Sequence, residues 1–176
     1  MHVLARILIA AAFCTSGLFA QGVTAPWDLK KTLESLQASG NRLKLVIEQL
    51  QPKEWMSQGA PVGYEAQKKE VLQQLQAVTS VAGRLAADTE KLTLALDLFM
   101  RIDSFDLNLQ SLAEGVRNYH NPAVAELIVG MRNENGHARQ TLRSYVVELA
   151  ETKEQEFKIV DQEAQKCRSQ TLRRRK

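Results

Sequence analysis

PWDLKKTLESLQASGNRLKLVIEQL, residues 26–50, carries the pattern that decides the fold. Leu29, Leu33, Leu36, Gly40, Leu43, Ile47 and Leu50 recur at alternating spacings of four and three. That rhythm puts one apolar seam along a helix. Pro26 suits the first helical position, and Gln51-Pro52 breaks the pattern. Gly40 inside the seam costs roughly 1 kcal/mol against Ala in a helix interior, but it lets another helix come close.

The same rhythm continues downstream. Tyr64, Lys68, Val71, Leu75, Val78, Ala82 and Leu85 define a second helix over about 61–87. Asp88 is expected to N-cap a third over 89–120. Its inner face reads Leu92, Ala95, Phe99, Ile102, Phe105, Leu109, Leu112, Val116 and Tyr119. Asn121-Pro122 is the sharpest boundary, since Asn caps a helix and Pro fits its first turn. Beyond it Val124, Ile128, Met131, Asn135, Ala138, Leu142, Tyr145 and Leu149 form one stripe, which shifts slightly to Phe157, Val160, Ala164 and Cys167. Because the phase survives Gly130 and Gly136, the fourth helix is expected to run unbroken over 122–168. Short connections make neighbours antiparallel, so the expectation is an all-α, up-down-up-down four-helix bundle with a long C-terminal helix projecting beyond it. Trp55 and Met56, in the irregular stretch between Pro52 and Gly63, are expected to plug one end of the core.

Composition agrees with this class. Nine glycines and four prolines in 176 residues supply few of the turns an all-β fold needs. Charge is unevenly placed. Lys166, Arg168, Arg173, Arg174, Arg175 and Lys176 crowd the last eleven residues without an acid. Without them and Arg6 the chain is acidic, which argues against a nucleic-acid partner. Residues 169–176 read as a basic disordered tail able to touch an anionic surface.

The first twenty residues read as a secretory signal peptide. Arg6 is the positive n-region, Ile7 to Phe13 the apolar run, and Ala20 the small residue before the cut. The apolar stretch is shorter than the roughly 20 residues a spanning helix needs. Asp97 interrupts the best later candidate, Leu92 to Met100. An exported protein, periplasmic or secreted and of bacterial type, is expected. Cys14 leaves with the leader. Phe13 and Ala11 stand where a lipoprotein signal wants a small residue and Leu. Cys167 is then alone in the mature chain, either a free thiol or an interchain link.

Candidate chemistry is sparse. Glu134-Asn-Gly-His137 has the Glu-x-x-His spacing that di-iron bundles use twice, yet it occurs once here, and Arg117 stands three residues before His120. The chain holds no Cys-x-x-Cys-His, Gly-x-Ser-x-Gly, His-Glu-x-x-His or glycine-rich phosphate loop. No catalytic residue, metal or cofactor is assigned. Counting about 1.5 Å per residue places Asn135 level with Asp106, Val78 and the region of Leu36 to Gly40. Three readings of that layer stand open: a small water-filled or ligand niche, a hydrogen-bonded register pin, or Phe105 turned inward with Asp106 and Asn135 at the rim.

Leu112-Ala-Glu-Gly-Val-Arg-Asn-Tyr119, Asn121-Pro-Ala-Val-Ala125 and Lys153-Glu-Gln-Glu-Phe157 resemble a group of uncharacterised secreted helical-bundle proteins inferred from bacterial genomes. The resemblance spans most of the mature chain and implies no activity. The Leu-Thr-x-x-Gln repeat of adaptor-like periplasmic chaperones is missing. The resulting expectation is a non-catalytic exported bundle that binds an unknown protein partner, or itself, through Phe157, Val160 and Cys167. The alternative is a small periplasmic metal- or ligand-binding bundle using Glu134, His137 and the mid-bundle layer.

Overall fold

The leucine seam that opens the sequence folds as helix α1 (Pro26–Glu48), with Leu29, Leu33, Leu43 and Ile47 fully buried along one face. The structure is a computed structural model and describes the backbone of residues 26–174 and the side-chain environments of 28–171. The signal-peptide reading (Arg6, the apolar run, Cys14 and Ala20) falls outside the described residues. After α1 come a single-turn helix α2 (Pro52–Trp55), a 3-10 turn (Met56–Gln58), α3 (Gly63–Ala87), α4 (Leu92–Tyr119), α5 (Pro122–Glu134) and α6 (Gly136–Arg174). Among the described residues the chain is all-helical, without strands, and ends in a 39-residue helix. No helix among them is long and apolar enough to cross a membrane.

Packing follows the apolar faces. Helix α3 lies against α1 and α4, while α5 and α6 touch both α4 and α1. Neighbours run antiparallel, as their cross-contacts show. Lys68 Nζ, near the start of α3, donates to Glu48 O at 3.0 Å and Leu50 O at 2.6 Å, covering carbonyls at the end of α1. The Lys on the seam is therefore a helix-end partner. Asn108 Nδ2 on α4 reaches Gln74 on α3 at 3.0 Å. Arg117 on α4 pairs with Glu126 on α5 at 2.7 Å. Gly40 lies so close to Thr79 that a Cβ there would sit 2.7 Å from Thr79 Cγ2.

Asn121 caps α5 as its sequence suggests, its Oδ1 accepting from Ala123 N–H at 2.8 Å with Pro122 in the first turn. Four expectations are corrected. The fourth helix is not continuous: one turn residue, Asn135, separates α5 from α6. Asn135 N–H donates to Arg132 O, a tight three-residue closure, and α6 starts afresh as Arg139 N–H donates to Asn135 O. Asp88 does not N-cap α4. Its own N–H closes α3 onto Arg84 O and Leu85 O, and α4 begins at Leu92 behind Lys91. Met56 does not plug the core; it is 42 % exposed, whereas Trp55 is buried. The 3-10 turn after α2, ended by left-handed Gly59 (φ 88°), turns the Trp in and the Met out. Finally, the helix passes 168 and reaches Arg174, where cations suit the negative end of its dipole.

Candidate functional site

Two regions carry the candidate residues. The first is the free end of α6. Tyr145 OH donates to Thr89 O at 2.7 Å, which fixes α6 against the α3–α4 connection. Leu149 is the last buried residue of the helix among those described. From Ala150 to Arg174 α6 runs on for 25 residues, about 37 Å at ~1.5 Å per residue. Phe157 is 73 % and Val160 66 % exposed, with Ile159 beside them; Cys167 is a free, exposed thiol. Phe157, Val160, Ala164 and Cys167 follow one another at spacings of three and four, so they share one side of the arm. Two ion pairs lie along the helix here, Lys153 with Glu156 at 3.0 Å and Lys166 with Glu163 at 2.8 Å.

The second region lies in mid-core. A cavity of about 240 Å³ opens at the α5–α6 break. Leu75, Val78, Ile102, Phe105 and Leu109 supply its apolar floor, together with Leu36 and Gly40 from α1. Its rim carries Asp106, Arg132, Asn135, Gly136 and Arg139. Arg132 grips Asp106 with two hydrogen bonds, Nε to Oδ1 and Nη2 to Oδ2, both 2.7 Å. That bond holds the Arg132 guanidinium above its ordinary value despite partial burial. Arg139 meets Asp103 through Nε at 2.6 Å, while its Nη1 stays 3.9 Å from Asp106. Phe105 is buried, and Asp106 and Asn135 are half-buried. The layer thus combines two of the three sequence readings: Phe105 faces inward with the polar pair at the rim, and a cavity lies beneath them.

Glu134 and His137 part company. The break at Asn135 falls between them; Glu134 pairs with Arg42 on α1 at 3.2 Å. His137 instead lines a shallow hollow with Asp28, Thr32, Gln140 and Ser144. Among the described residues no group of three or more His, Cys, Asp or Glu side chains is arranged to hold a metal. The other histidine among the described residues, His120, stacks on Trp55 with ring centroids 5.9 Å apart. No protein family, curated protein or solved structure matches the chain.

Sequence reasoning missed the arginine rim. Arg132 and Arg139 lie seven residues apart and so share a face, a signal that periodicity over apolar residues passes by.

Proposed function

We propose that this is an exported, non-catalytic protein that pairs with a second copy of itself through the free end of α6. In this reading α5 and α6 act as one bent rod, making the chain an up-down-up-down four-helix bundle with a projecting arm. The observation that carries the proposal is the apolar side of that arm, where Phe157 and Val160 stand 73 % and 66 % exposed. Full burial of such side chains is worth about 1.5–3 kcal/mol each, a strong incentive to cover them. Export rests on the leader-like pattern around Arg6 and Ala20.

Charge argues for a second copy and for its direction. Residues 151–163 contain five acids and two bases, whereas 164–176 contain six bases and no acid. Two arms laid antiparallel set the basic half of each along the acidic half of the other. Side by side and parallel, the two basic ends repel. The antiparallel register that keeps apolar residues together sets Phe157 against Cys167 of the second copy and Val160 against its Ala164. Glu154 then faces Arg168.

Sedimentation velocity of the chain from Gln21 tests this. A dimer that weakens as salt rises is expected, because exposed charges are screened within about 10 Å at 0.1 M salt. The Phe157→Ala/Val160→Ala variant should sediment as a monomer with unchanged thermal unfolding. A wild-type chain that stays monomeric, or a variant that loses stability by the ~1–4 kcal/mol of a core truncation, refutes the arm.

A further inference from the structure

We propose that the mid-core cavity is a binding site for a small uncharged apolar molecule, a single ring with a short substituent. This site does not depend on pairing of the arms. Five helices line it: α1 with Leu36 and Gly40, α3 with Val78, α4 with Phe105 and Leu109, and α5 and α6 at the mouth. Leu36, Val78, Phe105 and Leu109 are each buried in the core, yet about 240 Å³ beside them is left unfilled. An engineered apolar cavity of about 150 Å³ stays dry and takes up benzene, so a ring with a short substituent fits here.

Packing around the cavity keeps it from closing. At Gly40 α1 is already at close approach to α3, where an added Cβ would sit 2.7 Å from Thr79 Cγ2. At the mouth, α4 is tied to both sides of the α5–α6 break. Asp106 holds Arg132 of α5 through two bonds of 2.7 Å, and Asp103 holds Arg139 of α6 at 2.6 Å. The site is thus preformed, as small-molecule sites usually are. The same pairs decide the charge of the occupant. Two arginines meet two aspartates, so these groups carry no net charge and each guanidinium has its counterion. Asn133 and Asn135, which also line the cavity, are uncharged. A carboxylate or ammonium head would shed its hydration with no free counterion among the lining residues to receive it. An uncharged ring escapes that cost and gains in proportion to the apolar area it takes out of water.

Toluene, benzyl alcohol, benzoate and benzylammonium share one body and differ in the head. Each is titrated by heteronuclear NMR into the chain from Gln21, following the amides of Phe105, Leu109 and Gly136. Toluene and benzyl alcohol are expected to give saturable shifts there, and both charged probes to bind about tenfold more weakly or worse, each burying a charge without a partner. Asp103→Asn removes one acid from the mouth and frees Arg139, so benzoate should gain affinity several-fold while toluene is unchanged. Val78→Phe should abolish toluene binding by filling the floor. If that variant fails to fold, Val78→Ile, one methylene larger, should weaken toluene binding instead. Charged probes that bind as tightly as toluene, or benzoate unmoved by Asp103→Asn, overturn the proposal. So does toluene that ignores the filled floor, or that gives no saturable shifts at these amides at millimolar concentration.

Discussion

Replacing Gly115 with Ala should destabilise the protein, although Ala is the better helix former. Gly115 is buried on α4, and a Cβ added there would lie 2.7 Å from Tyr64 Cζ and 2.9 Å from Cδ1. The ring has little room to retreat. It stands edge-on to Trp55 with centroids 5.7 Å apart and 5.8 Å from Tyr119, and Trp55 is itself only 1 % exposed and stacked on His120. Forcing a methyl into such packing costs about 1–3 kcal/mol. Since the ring must shift by much of an ångström, we expect the upper half of that range. Helix propensity returns roughly 1 kcal/mol, leaving a net loss of about 1–2 kcal/mol. Urea unfolding followed by circular dichroism measures it. Gly130→Ala is the control: open space surrounds the added Cβ on α5, so the same exchange should stabilise by about 0.4–1 kcal/mol. A Gly115→Ala protein as stable as wild type would show that the Tyr64 ring does not seat against α4, and the reasoning about this end of the core would fail.

Tyr145→Phe should cost about 0.5–1.5 kcal/mol, the worth of its bond to the Thr89 carbonyl; an unchanged urea midpoint would contradict that bond. The same residue sets an alkaline limit. Burial raises the Tyr145 phenol above its ordinary value, so the folded state prefers the neutral form; the contribution is complete below pH ~10 and lost as pH climbs through the raised value. Stability measured against pH should therefore fall less steeply above pH ~10 in Tyr145→Phe than in wild type, and identical slopes would refute the assignment. Asp106→Ala should cost roughly 1–3 kcal/mol, because it leaves the half-buried Arg132 without its two bonds. A loss as small as that of an exposed ion pair would place Arg132 in solvent instead.

Much of the fold is legible because its causes are local. The seam from Leu29 to Leu50, the Asn121 cap with Pro122 and the stripe that outlasts Leu149 each need only spacing and side-chain chemistry to read. The break at Asn135 hides from that reading for a definite reason. Its backbone keeps right-handed helical geometry, φ −79° and ψ −10°, so the stripe holds its phase while the hydrogen-bond ladder slips. Asp88 misleads because an Asp between two helices serves either end, and only the carbonyls of Arg84 and Leu85 show which. Met56 depends on how far a 3-10 turn rotates the chain, which a neighbouring Trp does not reveal. Rise per residue finds the level of the mid-core layer. Whether space remains there depends on what five packed helices leave unfilled, with Gly40 contributing no side chain.

Nitroxide labels on Cys167, the single cysteine of the chain from Gln21, give the most direct test of arm pairing by pulsed dipolar spectroscopy. In the antiparallel register the two Cys167 positions are offset by ten residues, about 15 Å along the axis at ~1.5 Å per residue. An intermolecular distance of roughly that size or slightly more, lost in Phe157→Ala/Val160→Ala, is the expected result; the unlabelled thiols then form no disulfide, which needs Cα atoms within about 7 Å. A parallel pair would oxidise readily to a disulfide dimer and overturn the register. Absence of intermolecular coupling at any protein concentration would contradict self-association itself.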